Sequence, residues 1–263
     1  MNEFEVYPSA PVVLVAFEVR HPIADPLTPA ESRAVKRQLA DVLPLETQAQ
    51  VANVHITPGV PPEMTSEKFP RFFNRRKTLS ASFKEGSIVV EASDYPGWRE
   101  FRELITLAIQ ARTEISAVDG IDRLGLRYID EIRVPGDGPV DWSQWVAPSL
   151  LAPNLADIDL PISQWQGVSI YGSQPGQMLV ARYGPRVGHA IDPDSDLRRI
   201  RGSDGGEFFL VDIDSFWTPD GDVPEFDTKS IQQRSDELHR PVRRLFESTI
   251  TDKLRNEVLR KDA

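Results

Sequence analysis

The sequence predicts an α+β protein, with an N-terminal ferredoxin-like β-α-β-β-α-β half followed by an antiparallel sheet and a long C-terminal helix. Three observations lead there. β-favouring residues recur in short segments along the chain, several alternating apolar with polar at period two. The stretches near 28–42, 96–115 and 228–250 change to the 3.6-residue period of an amphipathic helix. Finally, Pro135-Gly136-Asp137-Gly138-Pro139 denies continuity to helix and ladder alike. It divides the chain into 1–134 and 135–263, as two domains or as two halves of one continuous domain.

The first strand is the apolar run 12–17, which reads as buried on both faces. A helix follows, with Thr28 as N-cap, Pro29 at its first position and Glu31 completing a capping box. Its stripe is Val35, Leu39 and Val42, and Pro44 marks the stop. Residues 44–78 show no long periodic element, and Pro58-Gly59-Val60-Pro61-Pro62 within them argues for a long loop. Segments 79–83 and 88–92, joined across Glu85-Gly86, form a hairpin. Phe101, Leu104, Ile105, Ala108, Ile109 and Ile115 then mark one face of a helix, and 123–134 is the next strand. The second half offers a short helix near Asp141 and strands near 165–171, 178–183 and 208–216. The last helix starts near Thr228, with Ile231, Leu238, Val242, Leu245, Phe246 and Ile250 as its stripe. Pro241 should kink it or start a new helix.

Composition narrows the chemistry. No cysteine is present, so disulfides, thiolate zinc sites, iron–sulfur clusters and cysteine nucleophiles are excluded. The formal charge of -10 disfavours non-specific attraction to nucleic acid or anionic lipid. The apolar run beginning at Pro11 is too short to span a bilayer, and Glu3 and Glu5 stand where a leader carries positive charge, so a cytoplasmic protein is expected. No Walker loop, dinucleotide fingerprint or Gly-x-Ser-x-Gly elbow occurs, and no cofactor is expected. His21, His55, His189 and His239 have no zinc-protease spacing, and His239 reads as structural.

The run Arg123-Leu124-Gly125-Leu126-Arg127-Tyr128-Ile129-Asp130 resembles the core signature of a sporadically distributed family of uncharacterised bacterial proteins of about this length. Tyr95 with Trp98 and Phe101, Val211-Asp212-Ile213-Asp214, and Leu238-His239 with Phe246-Glu247 and Ile250-Thr251 resemble its other blocks. The chain departs from it at Asp130, where Asn is expected, and at Pro241. The resemblance implies no established activity. A patchy distribution implies carriage by mobile elements, including toxin–antitoxin or phage-defence modules.

Four groups of residues are candidate sites. Lys68, Phe69, Arg71, Phe72, Phe73, Arg75, Arg76 and Lys77 mix cations with aromatic rings, as a partner-binding loop does. Docking of the phenylalanines on the core, or a protein contact, is favoured over nucleic acid. Arg127 and Arg133 are anion-binding candidates, against a plain cross-strand ion pair with Glu131. Asp212 and Asp214, two apart on a strand, project to one face as ligands for a divalent ion must, although a solvated face is the commoner meaning. Asp192, Asp194 and Asp196 have calcium-loop spacing, but Leu197 and Ser203 stand where Gly and Glu are needed, so a polar turn is expected.

The leading expectation is a non-enzymatic binding or accessory protein acting through a protein partner, antitoxin-like or phage-defence-associated. The first alternative is a metal-dependent nucleotide-processing enzyme using Asp212 and Asp214. The second is a nucleic-acid-binding protein using the basic-aromatic stretch 68–77.

Overall fold

The computed structural model describes residues 5–55, 63–136, 138–153, 162, 164–200 and 205–261. Among the described residues nine antiparallel strands form one sheet: β1 Val12–Arg20, β2 Leu45–His55, β3 Glu63–Phe73, β4 Leu79–Phe83, β5 Ser87–Ala92, β6 Arg123–Ile132, β7 Gly167–Gly172, β8 Gly176–Val187 and β9 Glu207–Thr218. Their order is β2-β3-β4-β5-β1-β6-β9-β8-β7. Three longer helices, α1 Pro29–Leu39, α2 Trp98–Thr113 and α3 Thr228–Thr249, accompany it. The sheet runs without a break past the glycine–proline cluster, because β6 on one side of that cluster pairs with β9 on the other. Asp137 of the cluster and Pro58-Gly59-Val60-Pro61-Pro62 lie outside the described residues.

The helices share one face of the sheet. Val15, Phe17 and Val19 of β1 meet Leu124, Leu126 and Tyr128 of β6 and Ile88, Val90 and Ala92 of β5 there, all buried. Onto this surface α1 lays Val35 and Leu39, α2 Phe101, Ile105 and Ile109, and α3 Ile231, Leu238 and Val242. Each such side chain, fully buried, stabilises the fold by about 1.5–3 kcal/mol. The opposite face of β1, with Leu14, Ala16 and Glu18, is only half-buried, so the strand is covered on one side rather than two.

The capping box of α1 is present: the Glu31 amide donates to Thr28 Oγ1 at 3.3 Å and the Thr28 amide to Glu31 Oε2 at 2.8 Å. Its stripe ends differently from expectation. Val42 is exposed and Leu43 is the buried residue, because α1 stops at Leu39 and the chain turns before Pro44. A short 3-10 turn, Trp142–Gln144, follows its cap Asp141. α3 continues through Pro241 to Thr249 rather than ending there. Among the described residues no helix is long and apolar enough to cross a membrane.

The largest departure from the sequence reading is the expected loop 44–78, most of which is the hairpin β2–β3. Both strands lack a clean period-two pattern for identifiable reasons. β2 is a polar edge strand. At the end of β3, Phe72 lies under the helices while Phe69 and Phe73 are buried on the other face, which erases the alternation.

Candidate functional site

Among the described residues the second face of the sheet carries no helix but many charges. Arg127 on β6 makes a two-pronged contact with Asp212 on β9, Nε to Oδ1 at 2.7 Å and Nη2 to Oδ2 at 2.8 Å, and Arg182 on β8 lies 3.8 Å from the same carboxylate. Arg123 bridges Glu18 at 3.1 Å and Asp214 at 3.6 Å, with its guanidinium over the Phe216 ring. Asp212 and Asp214 do project to one face as expected, but both carboxylates are occupied by arginine. A divalent ion would have to displace these cations, and burial already pushes the Asp214 carboxyl above its usual range, against the arginines nearby. No group of three metal-binding side chains occurs among the described residues.

Arg127 and Arg133 are likewise consumed. Arg133 holds the buried Glu131 at 2.7 Å and donates to the Gly188 carbonyl at 2.7 Å. Glu131 also accepts from the Ala190 amide at 2.7 Å and pairs with Arg199. These contacts pin the start and end of segment 188–200, which follows β8 and crosses the second face. Farther along, the Arg198 amide donates to the Lys77 carbonyl at 2.7 Å, and Ser93 Oγ donates to the Arg198 carbonyl at 2.7 Å. Arg71 reaches both Glu91, at 2.9 Å, and Asp196, at 3.2 Å, while standing over the Phe73 ring. Leu197 is buried beneath the crossing.

This arrangement divides the stretch 68–77. Phe69, Phe72 and Phe73 are core residues with at most 5% exposure, so they cannot serve as anchors for a partner. Lys68 is exposed on β3, and Arg71 is spent on Glu91 and Asp196. Arg75, Arg76 and Lys77 sit on the turn between β3 and β4 and face the crossing segment. The Asn74 side chain accepts from the Thr78 and Leu79 amides, and Lys77 takes the left-handed conformation, φ 56°, that closes the turn.

Between turn and crossing segment lies a cleft of about 630 Å³ lined by Arg75, Arg76, Lys77, Arg198, Arg199 and Asp196, with Pro193 and Ser195. Arg76 pairs with Asp94 at 3.0 Å, Arg199 with Glu131, and Asp196 with Arg71. Among the described residues no carboxylate pairs with Arg75, Lys77 or Arg198. Arg198 and Arg199 were absent from the sequence candidates. The signal was present, because they form a second basic pair like Arg75-Arg76, but it followed the aspartates of 192–196. Those aspartates form a polar turn, in which Asp192 Oδ1 accepts from the Asp194 amide at 2.9 Å; Ser203 lies outside the described residues.

A second polar cluster lies under α3. The Tyr128 hydroxyl is 3.0 Å from that of Tyr95 and 3.1 Å from His239 Nδ1, and Trp98 stacks on His239 at 4.2 Å. Burial holds His239 down at about 4, so its ring is neutral. The Trp98 indole donates to Asp236 at 2.9 Å, and Arg102 pairs with the same carboxylate. Tyr128, His239, Trp98, Arg102 and Asp236 each meet a neighbour on another element, which is the arrangement of a structural staple between α2, β6 and α3. No protein-family model, curated protein or solved structure matches this chain.

Proposed function

We propose that this chain is a non-enzymatic binding protein that engages an acidic segment of a protein partner at the cleft between the β3–β4 turn and the crossing segment. The observation that carries the proposal is the concentration of cations at that one place in a chain of net charge -10. A cationic recess in an acidic surface focuses field on a negatively charged partner and rejects basic ones. With its phenylalanines buried, the stretch 68–77 can offer charge but little apolar anchoring, so the contact is electrostatic in character. The resemblance drawn from the sequence supports a cytoplasmic accessory role in a mobile bacterial module, antitoxin-like or phage-defence-associated. The strand order β4-β5-β1-β6, with α1 and α2 on one face, supports a ferredoxin-like unit as the middle of the larger sheet.

The test is binding of a glutamate-rich peptide by the full chain, followed by fluorescence anisotropy over a salt series. Affinity should fall as salt rises, and Arg75→Glu, Arg76→Glu, Lys77→Glu together should weaken it more than about tenfold, an effect of at least about 1.4 kcal/mol. Unchanged affinity in that variant would remove the cleft as the site. Tighter binding of single-stranded DNA than of the peptide would favour a nucleic-acid partner instead.

A further inference from the structure

We propose that the same cleft is a site for a small molecule carrying two or three linked phosphate groups, which would compete with the acidic segment for its cations. This rests on the reading of the cleft as an anion site and names a ligand for it.

Size comes first. The open recess has a volume of about 630 Å³, within the range of sites that take one small ligand. Charge comes second. Among the described residues Arg75, Lys77 and Arg198 have no carboxylate partner, and the one carboxylate of the lining, Asp196, is already held by Arg71. Three uncompensated cations call for a ligand of about three negative charges, since each phosphate group brings about one to two. A single carboxylate leaves most of that field unanswered.

The backbone that carries these cations is held in place before any ligand arrives. The Lys77 carbonyl accepts from the Arg198 amide, which fastens the two walls together, and Ser93 holds the Arg198 carbonyl from below. Buried Glu131 fixes Arg199 at the back. A fixed backbone leaves only the side chains to be ordered on binding, and arginine forks match phosphate oxygens in pairs. Among the described residues no aromatic ring lines the cleft, so recognition should follow the phosphate count and ignore any base attached.

The experiment is isothermal titration calorimetry of the full chain with orthophosphate, pyrophosphate, tripolyphosphate, ATP, GTP and citrate. Affinity should rise along the phosphate series, with tripolyphosphate at least about tenfold tighter than orthophosphate. ATP and GTP should bind alike, and citrate, whose charges sit on a branched tricarboxylate rather than a linear phosphate chain, should bind measurably less tightly than tripolyphosphate. Arg75→Ala with Lys77→Ala should abolish tripolyphosphate binding without lowering the thermal midpoint, because the two side chains are exposed and lack ion-pair partners. No tripolyphosphate binding, no dependence on phosphate number, citrate binding as tight as tripolyphosphate, or full binding by the double variant would each overturn the proposal. If the glutamate-rich peptide binds while tripolyphosphate does not, the phosphate site falls and the acidic-segment reading stands. Failure of both removes both.

Discussion

Two residues illustrate how a local penalty is kept in this fold. Lys77 holds φ 56°, where an L side chain crowds its own backbone at a cost of about 1–2 kcal/mol. Glycine would complete the turn more easily, but it would remove a cation from the cleft. Lys77→Gly should therefore leave stability unchanged or raise it by up to about 1 kcal/mol in urea unfolding while weakening anion binding. A clear loss of stability would show that the lysine is structural. Asp130 is the second case. It is buried on β6 behind α3, and desolvation pushes its carboxyl up to about 8, with Arg243 opposing that shift. Its folded value lies above its ordinary 3.8, so the native state binds the extra proton. Stability from this group is complete below about 4 and declines as pH rises to about 8. At neutral pH the protonated acid resembles an asparagine in shape and in carrying no charge. The stability difference between Asp130→Asn and the parent, read by urea unfolding, should grow in favour of Asn between about pH 5 and about pH 8. A difference that does not change with pH would mean that the carboxyl is not buried as described.

Among the elements, α3 is the one whose sequence contains an apparent fault. Pro241 has no amide hydrogen, so the carbonyl four residues back, at Glu237, lacks its helical donor. Gln177 at the start of β8 supplies one, donating from Nε2 to the Glu237 carbonyl at 3.3 Å. The proline thus ties the helix to the sheet, and the helix carries on for two more turns because Val242 and Phe246 remain buried against the core. Pro241→Ala should restore the helical bond and stabilise by about 1–3 kcal/mol, and Gln177→Ala should then cost less in the alanine background than in the parent. A double-mutant cycle by chemical denaturation checks both; additive effects would refute the coupling. The cap of α1 and most of the stripes of α1 and α3 were legible because they are local. Thr28 and Glu31 lie three residues apart, and an apolar stripe needs one helix face only. The strands β2 and β3 were not legible, because one is a polar edge and the other is buried on both faces at its end.

At the scale of the whole molecule, the sheet passes through the point where the sequence suggested a division. β6 is bonded to β1 on one side and β9 on the other, and α3 packs on both β6 and β9 while touching α2. Heat or urea should therefore unfold the chain in one transition, seen at the same midpoint by far-ultraviolet circular dichroism and by tryptophan fluorescence. Two separated midpoints would restore two domains, 1–134 and 135–263. The sequence by itself determined the α+β class, the three amphipathic helices, most strands, the acidic balance and the basic run at 75–77, because each depends on residues within one or two turns of chain. Only the tertiary structure decided that the three phenylalanines are core and that Arg198 meets Lys77. The contact of Arg71 with Asp196 spans 125 positions, and nothing in local periodicity specifies such a pairing. Period two says that a strand has two faces; which neighbour covers each face is settled only when the whole sheet is assembled and segment 188–200 crosses it.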